Sequence, residues 1–132
     1  MQIKGVVESA LYVADLDRSV EFYQRLFGFQ VLLRDNRICA LAVVPGQVLL
    51  LFRKGASTNP AQHFPTHDGD GNLHFAFAVD APELESWEQK LVEAGVAIEA
   101  RTEWPLGGRS IYFRDPDGHL GELATPGTWA NY

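Results

Sequence analysis

The sequence predicts an α+β protein built from paired βαβββ modules. Two stretches of the chain each run strand, capped amphipathic helix, then three short strands, in the same order. Such a repeat of one supersecondary unit implies a pseudo-twofold, with two sheets meeting around a shared groove. Apolar residues make up 46% of the 132, enough for a packed core in a single domain spanning 1–132 and too many for a disordered chain. Between the two stretches, residues 53–72 hold three Gly, two Pro, two Asp and two His with no periodicity, a connection long enough to be either functional or unstructured.

Module one covers about 3–53. Gly5–Ala14 alternates, with Leu11 and Val13 on one side and Glu8, Ala10 and Tyr12 on the other, which is a strand pattern. Asp15 reads as the cap of a helix whose apolar positions Leu16, Val20, Tyr23 and Phe27 recur at helical steps, and Gly28 ends it. Strands at Phe29–Arg34, Ile38–Val44 and Gln47–Phe52 follow, separated by the turn pairs Asp35-Asn36 and Pro45-Gly46. Module two covers about 73–126 and opens on Leu73–Val79, where Phe75, Phe77 and Val79 alternate with His74, Ala76 and Ala78. Asp80 to Glu83 reads as a capping box with Pro82 early. Leu84, Trp87, Leu91 and Ala94 form the next helix's apolar stripe, which places Trp87 in the core, and Gly95 closes it. Strands at Val96–Arg101, Gly108–Arg114 and Leu120–Thr125 complete the module.

Composition removes several functions. Eleven basic residues against 17 acidic give a net charge of −6, and no basic run exists, so no nucleic-acid partner is expected. The longest apolar run, Ile38–Val44, is far short of the ~20 residues that span a bilayer, and Met1–Ala10 has no signal-peptide character. A cytoplasmic protein with no membrane partner is expected. The lone Cys39 lies between Ile38 and Ala40, so it cannot form an intramolecular disulfide and reads as a small packed hydrophobe. Asp68 to Asn72 has the acidic spacing of a calcium loop, but Leu73 and Val79 stand where an EF-hand needs Gly and Glu.

Three segments carry a family resemblance: ESALYVADLDRSVEFYQRLFGF from Glu8, GNLHFAFAVD from Gly71 and SIYFRDPDGHLGEL from Ser110. Together they resemble the vicinal oxygen chelate superfamily, which includes glyoxalases, fosfomycin-resistance thiol transferases, bleomycin-resistance proteins and extradiol dioxygenases. The resemblance covers essentially the whole chain and implies the glyoxalase/bleomycin resistance/dihydroxybiphenyl dioxygenase-like fold. It also implies a homodimer, a small-molecule substrate and one divalent metal ion. By position, the metal ligands it implies are Glu8, where most members have His, together with His74 and Glu122. Leu50 stands where four-ligand glyoxalases carry a carboxylate.

The residues give partial support of their own. Glu8 and His74 occupy matching places in the two repeats, each followed on its side by alanine, which leaves room for a ligand. An imidazole or carboxylate in an apolar strand is costly unless paired. Taken singly, Glu8 also reads as solvated, His74 as a core histidine and Glu122 as the ion-pair partner of an arginine. Two carboxylates and one imidazole suit Mn, Fe, Zn, Ni or Mg, and three protein ligands leave coordination positions open.

Around this set, Ser110, Tyr112 and Arg114 alternate to one side of their strand, and Ser110 and Tyr112 match substrate-touching positions of the resembled family. Glu122, Tyr112 and His67 are the candidate catalytic groups, with His67 as an acid/base on the long connection. Arg109 reads either as a grip for an anionic group or as an ion-pair partner at the rim, Trp104 as a wall at the groove mouth, His63 as solvated and His119 as structural. Ala10, and a segment Thr125–Tyr132 without arginine, argue against fosfomycin as substrate. The leading expectation is a small metal-dependent enzyme of lyase, isomerase or thiol-transfer type acting on adjacent oxygens. The alternative is a metal-free drug-binding protein like the bleomycin-resistance members, for which the acidic charge is suitable.

Overall fold

A computed structural model describes residues 1–132. The chain divides into two units, Met1–Gly71 and Asn72–Tyr132. The first holds β1 (Glu8–Val13), α1 (Leu16–Phe27), β2 (Gln30–Arg34), β3 (Ile38–Val44) and β4 (Gln47–Arg53). Its sheet runs β1-β4-β3-β2, with β1 parallel to β4 and the other pairings antiparallel. Alternation sends Leu11, Val13, Cys39, Leu41, Leu49 and Leu51 to one face, where none exceeds 3% exposure. Burial pushes the Cys39 thiol pKa up, which fits an inert packed residue.

Helix α1 packs its buried Leu16, Val20, Tyr23 and Leu26 toward β3 and β4. Asp15 accepts from the Arg18 backbone N–H, and Gly28 takes the left-handed conformation at φ 71° that ends the helix. Leu26 fills the buried place expected for Phe27, whose ring instead stacks on Phe29. The opposite face of the sheet carries Glu8, Ala10 and Tyr12 from β1, Val48, Leu50 and Phe52 from β4, and Ile38, Ala40 and Ala42 from β3.

The second unit holds β5 (His74–Ala78), a short 3₁₀ turn (Ala81–Glu83), α2 (Leu84–Glu93), β6 (Ala100–Glu103), β7 (Arg109–Arg114) and β8 (Leu120–Ala124). Its sheet, β5-β8-β7-β6, has the same pattern, with β5 parallel to β8. Ile111, Phe113 and Leu123 are buried on one face, as are Leu84 and Leu91 of α2. Gly121 leaves space there for the Phe113 ring, since a Cβ would lie 2.3 Å from it. Arg101 to Glu88 and Arg109 to Glu85 tie α2 to the strands on this side.

Three local expectations need correction. Asp80 makes no side-chain cap bond, because the start of the helical segment tightens into the 3₁₀ turn. Trp87 is half-buried with the Lys90 ammonium 4.8 Å over its ring, so the indole shields the helix surface rather than filling the core. The strand expected from Val96 begins at Ala100, because the Val96 N–H is still bonded to Leu91 O at the end of α2. No helix is long and apolar enough to cross a membrane.

Candidate functional site

The face of the second sheet opposite α2 carries the densest polar cluster. Register places His74, Ala76 and Ala78 of β5 beside Leu120, Glu122 and Ala124 of β8, and Glu122 beside Tyr112 of β7. Glu122 is 6% exposed and its two oxygens have different surroundings. Oε1 accepts from Ser110 Oγ at 2.5 Å and from the Tyr112 hydroxyl at 3.2 Å. Oε2 lies 3.3 Å from His74 Nε2. Burial first, and the Glu122 charge second, push the Tyr112 pKa up, so its hydroxyl remains a donor at neutral pH.

His74 itself is oriented by the backbone. Its Nδ1 lies 3.0 Å from Leu120 O, and because a carbonyl only accepts, Nδ1 carries the proton of that bond. In the neutral ring Nε2 is then a bare lone pair, and it faces a carboxylate oxygen. Two acceptors at that separation need a cation or a proton between them. Donor atoms on a shared ion with bonds near 2.1 Å stand about 3.0–3.4 Å apart, so the chemistry of this donor pair fits a divalent metal. Neither unit alone gathers three His, Cys, Asp or Glu side chains in one place. Glu8 is exposed on the first unit's face away from α1, at the register position that matches His74.

The other expected residues fall in several places. Trp104 is half-buried, and its indole N–H donates to Ser110 Oγ at 2.8 Å. The Arg109 guanidinium lies on the helix side of its sheet, bonded to Glu85 at 2.6 Å and to Ala81 O, so the ion-pair reading describes its surroundings. His67 lies in the first unit, where Nδ1 is 2.9 Å from the Tyr12 hydroxyl and its ring meets the Phe52 ring edge-on. His119 is fully buried and accepts the Leu73 backbone N–H, a structural role.

Two contacts escaped the sequence reading. Tyr12 as the partner of His67 was signalled only by sharing a strand side with Glu8. The stack of Trp104 on Trp129, centroids 6.4 Å apart, had no local signal at all.

Two mixed four-stranded sheets, each built from a βαβββ module, define the class of paired βαβββ-module proteins. The chain belongs to the Glyoxalase/Bleomycin resistance protein/Dioxygenase superfamily, whose family model matches residues 5–123. The metallothiol transferase FosB of Lysinibacillus sphaericus is 30% identical over 126 residues, covering 95% of this chain and 84% of that protein. The glutathione transferase FosA of Serratia marcescens is 34% identical over 113 residues, covering 86% of this chain and 74% of its own. A crystal structure of lactoylglutathione lyase from Agrobacterium tumefaciens superposes with a TM-score of 0.92 at 29% identity, covering 98% of this chain and 99% of that one.

Proposed function

We propose that the protein is a cytoplasmic, homodimeric, metal-dependent enzyme acting on a small molecule with two adjacent oxygens, in a reaction involving a thiol. The observation that carries this reading is His74 Nε2 facing Glu122 Oε2 at 3.3 Å while the other polar atoms of both side chains are already bonded. Those two atoms, with the Glu8 carboxylate, are the proposed ligands of one divalent ion, Mn, Fe, Zn, Ni or Mg. The thiol rests on the relatives, two of which are named as thiol-group or glutathione transferases and a third as a lyase of a glutathione conjugate. A bound divalent ion supplies Lewis-acid polarisation of substrate oxygens. Tyr112 keeps its proton and donates it as a hydrogen bond at Glu122 Oε1, next to where the substrate binds. His67 serves as acid or base through Nε2, since Tyr12 occupies Nδ1. Ser110 and Trp104 line the Glu122 side of the site, and Arg109 stays with α2.

Metal titration calorimetry on the purified protein tests the reading. One Mn²⁺ or Zn²⁺ per chain is expected, weakened at least ~100-fold in His74→Ala and about tenfold in Glu8→Gln. Light scattering should give a particle of two chains. Equal, negligible metal uptake by parent and variants would overturn the enzyme reading in favour of metal-free drug binding.

A further inference from the structure

Trp104 does more than form a wall. An indole N–H can only donate, and this one donates to Ser110 Oγ at 2.8 Å. Ser110 is 1% exposed, and its hydroxyl donates to Glu122 Oε1 at 2.5 Å. With one lone-pair direction of Oγ filled by the indole, the hydroxyl points at the carboxylate. Oε1 thereby becomes the filled end of Glu122 and Oε2 the end left facing His74.

The fold holds the indole in place for this. Trp104 sits on a tight turn in which its N–H bonds Gly108 O and its carbonyl accepts from Gly107. Its ring stacks on Trp129, whose segment lies backbone against backbone with Gly108, where a Cβ would come 2.2 Å from Thr128 N.

We infer that Trp104 is a positioning residue that fixes the direction of the Trp104–Ser110–Glu122 hydrogen-bond chain and so reserves Glu122 Oε2 for a cation. The inference rests on the metal reading above and adds to it a residue two hydrogen bonds away from the ligand atom. A half-exposed tryptophan used only as a wall would need no N–H, whereas a relay needs the N–H and tolerates loss of the rest of the indole face.

The experiment is a double-mutant cycle read by Mn²⁺ affinity in the full chain. Trp104→Phe keeps a ring on Trp129 and removes the donor; about tenfold weaker binding is expected, with about 30-fold for Ser110→Ala. In the double variant, Trp104→Phe should add less than about twofold to the Ser110→Ala loss, because no hydroxyl remains to be steered. Parent-like affinity in Trp104→Phe, or fully additive losses, would overturn the inference and leave Trp104 a packing residue. If the parent takes up no Mn²⁺, the metal reading fails first, and the chain is then read in the metal-free protein by NMR. The Trp104 indole proton, identified by its absence in Trp104→Phe, should move in both Ser110→Ala and Glu122→Gln, since polarisation passes along connected hydrogen bonds. Movement in Ser110→Ala alone would refute the relay.

Discussion

The two units build the same sheet and equip its open face in opposite ways. Glu8 pairs with Val48 as His74 pairs with Leu120, so the strands can be matched position by position. On that register Leu50, Ala40 and Ile38 of the first unit correspond to Glu122, Tyr112 and Ser110 of the second. The first face offers a carboxylate no hydroxyl at those places, and it has none there; the second surrounds its buried carboxylate with two hydroxyls and an imidazole. Topology therefore fixes where a group can stand, and neighbouring donors decide whether a buried charge is tolerated there. The helix sides differ by exchange of bulk: Leu41 against Leu49 in the first unit becomes Phe113 against Gly121 in the second.

Copying one face onto the other is the strongest way to break this comparison. Glu122→Leu, which gives the second face the residue of the first, should weaken Mn²⁺ binding by more than ~100-fold in calorimetry, through loss of a proposed ligand and of its hydrogen-bonded support. The reverse exchange, Leu50→Glu, places a carboxylate beside the apolar side chains of Ala40, Ile38 and Ala10, while the Tyr12 hydroxyl on the same face is already engaged with His67. It should destabilise the metal-free protein by about 1–3 kcal/mol in urea denaturation at neutral pH. A stable, strongly metal-binding Leu50→Glu variant would show that donors are not what separates the faces.

The bulk exchange gives a comparable test on the other side. Gly121→Ala drives a Cβ to 2.3 Å from the Phe113 ring and should cost about 1–3 kcal/mol, measured by thermal unfolding. The same substitution in a Phe113→Leu background should cost clearly less, because the crowding ring is gone.

The smallest effect concerns Tyr112. Its folded pKa is raised by burial and by Glu122, so the stability it contributes is full below the free-tyrosine range near ~10 and is lost as pH rises through the folded value. Tyr112→Phe should therefore lose less stability than the parent between neutral and strongly alkaline pH. Tyr12 and Tyr132 are shifted the same way and set the background against which melts must be compared.

Much of this was legible in the sequence, for local reasons. Asp15 and Gly28 mark α1 because capping and left-handed termination are decided within a few residues. Alternation in β1 and β5 placed Glu8 and His74 on defined sides. What stayed hidden depends on pairing across the chain. The tautomer of His74 follows from its bond to Leu120 O, and nothing near His74 announces that β8 is its parallel neighbour. The Trp104 donor reaches Ser110 only because the intervening residues form a tight turn, and the Trp129 stack depends on the segment after β8 coming back to that turn. Trp87 misled because its helical spacing fits a core stripe as well as a shielded surface.

The parallel pairing of first and last strands also sets an order of assembly. In each sheet the opening strand has one neighbour, and that neighbour is the final strand of its unit. A chain synthesised from its N-terminus can complete the first sheet once Arg53 is available, while β5 must wait for β8. His74 and its carbonyl partner are separated by 46 residues, so closing that ladder is a slow, long-range step. The histidine–carboxylate pair is thus made by the last strand pairing the nascent chain can form, and a ribosome-stalled chain lacking Leu120–Ala124 would carry a finished first sheet and no pair.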